Sequence, residues 1–130
     1  MKPYAIKENH LYKKTFQRGK RWSGRFVSVY VLKDLSAKRL RKANPQKQYL
    51  NRVGLTVSKK IGGAVVRSRA RRVMRAAYAS LEGRLRQGFR VVISAREGIG
   101  DQKSTDIAAE LARGFGKLGM FANTTTTNTP

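Results

Sequence analysis

A protein that does chemistry with its own side chains needs a base, a nucleophile or converging carboxylates, and this chain is poor in all three. It has no cysteine and a single histidine, His10. Thiolate metal sites and cysteine nucleophiles are therefore excluded, and a serine triad built on histidine has only His10 to draw on, in what reads as the first turn of a helix. The acidic residues Glu8, Asp34, Glu82, Glu97, Asp101, Asp106 and Glu110 are scattered. Only Asp106 and Glu110 share helical spacing, and that pair reads as stabilisation of a helix N-terminus rather than as a metal site. A two-metal nuclease centre, which needs several carboxylates around a pair of ions, is not written here. No catalytic residue is assigned within the chain.

Cationic chemistry is abundant instead. The segment from Lys59 to Arg75 places Lys59 and Lys60 ahead of Gly62 and Gly63, then Arg67, Arg69, Arg71, Arg72 and Arg75, five arginines within nine residues. At about 100° per residue, Arg67, Arg71 and Arg75 form a stripe beside an apolar arc, and Arg69 and Arg72 carry the charge round the outer side. Like charges four apart destabilise an isolated helix, so local stability does not explain them. A polyanion does. The planar guanidinium fork makes bidentate contacts to phosphate and stacks on bases, and a glycine pair before the helix leaves room for phosphate at its free N–H groups.

The whole composition points the same way. In 130 residues, 29 Lys and Arg face 7 Asp and Glu, a formal net charge of +22. Such self-repulsion calls for a polyanionic partner, and a phosphate backbone supplies it. A membrane surface is the weaker alternative: it needs bulky apolar residues opposite the charges, yet the one tryptophan, Trp22, lies outside any helical pattern. No run reaches membrane-spanning length and the start has no signal-like apolar stretch. A cytoplasmic location is expected.

The elements that must position these residues follow from periodicity. Glu8 to Arg18 reads as a short helix, with Tyr12 and Phe16 on one face and Gly19 as its stop. Arg25 to Leu32 reads as a strand with Val27, Val29 and Val31 on one side and Phe26, Ser28 and Tyr30 on the other. A second strand, Arg52 to Ser58, alternates Val53, Leu55 and Val57 with Gly54, Thr56 and Ser58. Ala64 to Glu82 is the strongest helix, with Val66, Ala70, Val73, Met74, Ala77 and Leu81 on one side. Phe89 to Ala95 reads as a further strand, and Ser104 to Leu118 as a last helix whose final turns Gly114 and Gly116 weaken. Residues 36–49 read as a basic connecting loop broken at Asn44-Pro45. One domain, 1–121, is expected, with 122–130 a disordered Thr-rich tail.

Strand, helix and strand over 52–95 make a βαβ unit within a small α+β sandwich, with helices on one sheet face and Ser28, Tyr30, Thr56 and Ser58 lining a polar, partly open second face. Tyr12, Phe16 and Tyr30 then frame a cleft between helix and sheet. Rings beside Lys13, Lys14 and Arg18 suit stacking on unpaired bases; pattern alone slightly favours the simpler reading, in which Tyr12 and Phe16 dock the helix to the core.

Val57 to Arg75, a strand running into Ser-Lys-Lys, a glycine turn and an arginine helix, resembles the signature of the bacterial ribonuclease P protein subunit. The family's helix usually opens with asparagine after the glycine and carries an Arg-Asn-Arg core; Gly63 and Ser68 stand at those two asparagines here, while Arg67, Arg69, Arg72 and Arg75 are kept. Tyr12, Phe16, Gly19, Arg25 and Tyr30 follow the family's spacing without a gap, so the resemblance spans most of residues 7 to 95. It implies the ribosomal protein S5 domain 2-like α-β-β-β-α-β-α fold, with a left-handed crossover against the usual preference. It also implies an assisting role in an endonuclease whose catalyst is a magnesium-dependent RNA that removes the 5′ leader of precursor tRNA. The arginine helix with Lys59 and Lys60 would bind the RNA subunit, and Tyr12, Phe16 and Tyr30 the leader. No protein partner is implied. From charge alone, a structural RNA-binding protein of ribosomal type and a DNA-compacting protein stay open.

Overall fold

The computed structural model describes residues 4–6, 9–34 and 51–121. The expected basic loop, 36–49, and the expected tail lie outside the described residues. Five strands, β1 (Tyr4–Ala5), β2 (Lys20–Ser23), β3 (Val27–Lys33), β4 (Arg52–Thr56) and β5 (Phe89–Ala95), alternate with three helices, α1 (Asn9–Arg18), α2 (Ala64–Leu81) and α3 (Ser104–Lys117). The strands form one sheet in the order β1-β4-β5-β3-β2. β4 runs parallel to both β1 and β5, whereas β3 is antiparallel to β5 and β2. The α2 segment joins the parallel neighbours β4 and β5, the crossover whose left hand the family resemblance implies.

Register sorts the side chains into two faces. Val29 opposes Ile93, and Ile93 opposes Leu55; Val31, Val91 and Val53 align in the next such row. This face meets α2 and α3, and Val27, Val29, Val91, Ile93, Met74, Tyr78, Ile107, Leu111 and Phe115 are all but sealed from solvent. Burying side chains of this size gives roughly 1.5 to 3 kcal/mol each, which is what an α2 carrying so much like charge needs in order to stay folded. Tyr78, absent from the sequence-derived arc, lies inside the core. Burial, and then the negative charge of Glu82, hold its hydroxyl pKa well above the ordinary value.

The second face is not left to polar residues alone. Arg52, Gly54 and Thr56 align with Arg90, Val92 and Ser94, and these with Leu32, Tyr30 and Ser28. Helix α1 packs here, against β3 and β5, so the helices occupy both faces rather than one. Val92 is buried in consequence. Toward one end of this face Asp34 bridges two buried arginines: Arg52 donates from Nε at 2.7 Å and Nη2 at 3.0 Å, and Arg90 Nε stands 3.9 Å away.

Three further details correct the sequence reading. Strand β2 is not foreshadowed by periodicity; its tetrapeptide Lys-Arg-Trp-Ser carries one apolar residue, and pairing with β3 defines it. Its Trp22 explains a glycine: a Cβ at Gly114 would fall 2.4 Å from the indole, so α3 keeps a glycine where the ring is seated and nonetheless continues to Lys117. Glu110 is not a helix-end stabiliser. It is buried, and its Oε2 accepts the N–H groups of Phe26 and Val27 at 2.8 Å each, tying α3 to the start of β3. Asp106 does cap α3, accepting the Lys103 N–H at 3.3 Å.

Candidate nucleic-acid interface

Gly63 is the N-cap of α2: its carbonyl receives the Arg67 N–H at 3.0 Å and it supplies no side-chain cap. A Cβ placed on Gly63 would meet nothing within 4 Å, so the approach to this helix end is open. Lys59 and Lys60 sit just before it in a 3-10 turn, Lys59–Ile61, with both side chains exposed. Val66 departs from expectation. Instead of facing the core it reaches back over Gly62 and toward Gly100, and it stays more than one-third exposed.

The buried arc of α2 runs through Ala70, Val73, Met74, Ala77, Tyr78 and Leu81. At about 100° per residue, Arg67 and Arg71 fall on one border of that arc and Arg69 on the other, with Arg75 and Arg72 between them on the far side. Exposure follows this arrangement: Arg67, Arg69 and Arg71 are half-buried, Arg72 and Arg75 exposed. The stems of the border residues lie along the protein, and at Arg67 the burial reaches the guanidinium itself, whose Nε is covered and has no hydrogen-bond acceptor among the described residues. Arg69 is fixed, its Nη1 donating to the Gln102 carbonyl at 3.0 Å. Among the described residues none of the five is ion-paired with a carboxylate.

The aromatic residues assemble on the opposite face of the sheet. Tyr12 lies directly on Gly54, where a Cβ would sit 2.4 Å from the ring; only glycine in β4 lets α1 come this close. Burial raises the Tyr12 pKa, opposed by a hydrogen bond with the Leu55 backbone. One turn on, Phe16 is 38% exposed and meets Tyr30 edge to face, with ring centroids 4.7 Å apart at 85°. The Arg21 guanidinium stands 5.7 Å from the Tyr30 centroid. Gly54, Val92 and Tyr30 occupy one row of the register, so α1 crosses the sheet with Tyr12 over one end of that row and Phe16 over the other.

The three rings named from the sequence therefore meet in one place but do different work. Tyr12 is a dock that positions α1, and Phe16 with Tyr30 is an open aromatic pair. Arg21 escapes a reading by spacing, because its approach to Tyr30 depends on the β2–β3 register, which places those two residues opposite one another.

A family model for ribonuclease P matches residues 1–119. The chain belongs to the ribonuclease P protein family. It is 32% identical over 120 residues to the ribonuclease P protein component of Clostridium acetobutylicum, covering 92% of each chain. It is 34% identical over 119 residues to that of Bacillus cereus, covering 92% of this chain and 94% of the other. The fold is that of the RNase P protein of Staphylococcus aureus, with a TM-score of 0.71 at 23% identity over 93% of this chain and all of the other. In this ribonuclease P protein, one sheet separates the arginine helix from the aromatic pair of Phe16 and Tyr30.

Proposed function

We propose that the chain is the RNA-gripping subunit of ribonuclease P, which holds the RNA subunit with α2 and the single-stranded 5′ leader of precursor tRNA with its aromatic cleft. Membership of the family places it in ribonuclease P and so in tRNA processing. The observation that carries the division of labour is the five arginines of α2 without a carboxylate partner among the described residues. They are assigned to phosphates of the RNA subunit together with Lys59 and Lys60. Phe16 and Tyr30, with Arg21 beside them, are assigned to leader bases, which stack on aromatic rings without regard to sequence. Tyr12 contributes by fixing the helix that carries Phe16.

Cleavage in this reading belongs to the RNA subunit, and the magnesium it uses is held there. Among the described carboxylates, Asp34 serves Arg52, Glu110 serves two backbone N–H groups, and Asp106 caps α3. Among the described residues no three His, Cys, Asp or Glu side chains gather as a metal site, and no helix is long and apolar enough to cross a membrane. A cytoplasmic site of action accords with a tRNA-processing role. The chain's own share is electrostatic: it neutralises phosphate repulsion between the RNA subunit and precursor.

The test is cleavage of precursor tRNA by the cognate RNA subunit at low magnesium, with and without this chain. Stimulation of correct 5′ maturation is expected, and its absence would remove the assignment. RNA recovered with the protein separates the structural alternative: one abundant catalytic RNA supports ribonuclease P, ribosomal RNA a ribosomal-type role.

A further inference from the structure

Helices α2 and α3 pack side by side, and their outer junction is a cleft of about 370 Å³ lined by Arg69, Arg72, Val73 and Ala76 from α2 and by Lys103 and Ser104 at the start of α3. Three cationic side chains converge on it from two elements, and no acidic residue is in the lining. The Asp106 carboxylate lies outside it, on the Lys103 N–H. The bond from Arg69 to the Gln102 carbonyl uses one of that guanidinium's N–H donors and anchors the group beside the cleft; its other donors remain for a ligand. An anchored guanidinium has already lost the side-chain freedom that binding would otherwise cost. Ala76 and Val73 add no competing acceptor side chains to the lining.

This convergence is not a property of an arginine-rich helix alone. Lys103 comes from a different part of the chain, and tertiary packing brings it to the same cleft as Arg69 and Arg72 even though like charges repel. We propose that the cleft is a phosphate site, seating one backbone phosphate of the structured RNA between α2 and α3, so that Lys103 and Ser104 belong to the RNA interface. The inference rests on the RNA-binding reading of α2 and extends that interface to the last helix.

The test measures affinity of the full chain for the cognate ribonuclease P RNA as salt is varied. Lys103→Gln is expected to weaken binding roughly tenfold, the scale of a lost charged hydrogen bond. Lys117→Gln, with the same change of charge at the exposed far end of α3, leaves it nearly unchanged. Equal effects of the two would overturn the site. If Arg72 and Lys103 share a phosphate, Arg72→Gln and Lys103→Gln together cost less than the sum of each alone. The double variant then loses about one unit of slope in log affinity against log salt; strict additivity with two units lost would overturn a shared phosphate. Ser104→Asp adds a control for folding: a carboxylate in the first turn of α3 favours the helix, so the melting temperature holds while RNA binding falls, and unchanged binding would count against the site. A wild-type chain that ignores the RNA would instead defeat the proposed function itself.

Discussion

Arg52 and Arg90 on the sheet and the five arginines of α2 put one kind of side chain into opposite settings. The sheet pair is buried, and Asp34 lies against both, bidentate on Arg52. The helix set borders solvent, and among the described residues no carboxylate pairs with it. Burying a charge is tolerable only with a counter-charge in place, so the sheet carries its own. The helix has no such carboxylate among the described residues, as its proposed role at RNA phosphates requires. The difference separates arginines neutralised within the fold from arginines that the proposed RNA contact would neutralise.

That contrast can be broken at several points. Asp34→Ala leaves two guanidinium groups inside without their carboxylate and is expected to cost about 3 to 5 kcal/mol of stability, a large share of what a small domain has. Urea denaturation checks it, and a near-neutral effect would mean that the sheet arginines are no more committed than those of α2. Phe16→Ala or Tyr30→Ala tests whether the aromatic pair also awaits a ligand. Affinity for leader-bearing precursor should fall by roughly 1 to 3 kcal/mol, with little change for mature tRNA; equal losses on both substrates would assign the rings to the core. The smallest effect is the most pointed. Arg71→Glu turns two repulsive i,i+4 pairs, with Arg67 and with Arg75, into attractive ones, so thermal stability should rise by roughly 0.5 kcal/mol while RNA affinity drops. A fall in stability would show that Arg71 supports the fold.

Periodicity reveals much of this architecture because most elements bury one regular face. Phe89–Ala95 matches its expected span residue for residue, and α2 and α3 each end one residue short of expectation. The arginine face is legible for the same reason: its residues are neighbours in sequence, and a helix alone arranges them. What stays hidden depends on pairings between distant segments. Glu110 finds its partners 83 and 84 residues away, and nothing in the spacing of Asp106 and Glu110 announces them. Asp34 is a lone acid after a strand until β4 and β5 bring Arg52 and Arg90 beside it. Gly54 reads as an ordinary small residue between Val53 and Leu55, yet it is the seat of Tyr12. The aromatic residues come together between α1 and the sheet, but the separation of Tyr12 as dock from Phe16 and Tyr30 as an open pair needs the register of three strands.

The salt dependence of binding to the cognate ribonuclease P RNA, compared between the wild-type chain and an Arg67, Arg69 and Arg72 triple glutamine variant, bears most directly on the role of α2. If phosphates supply the missing counter-charge, the plot of log affinity against log salt becomes shallower by about one unit for each phosphate that the variant no longer neutralises, while the variant stays folded and loses only the stability that the Arg69 bond to Gln102 and the packed stems contribute. Parallel lines for the two proteins would contradict it.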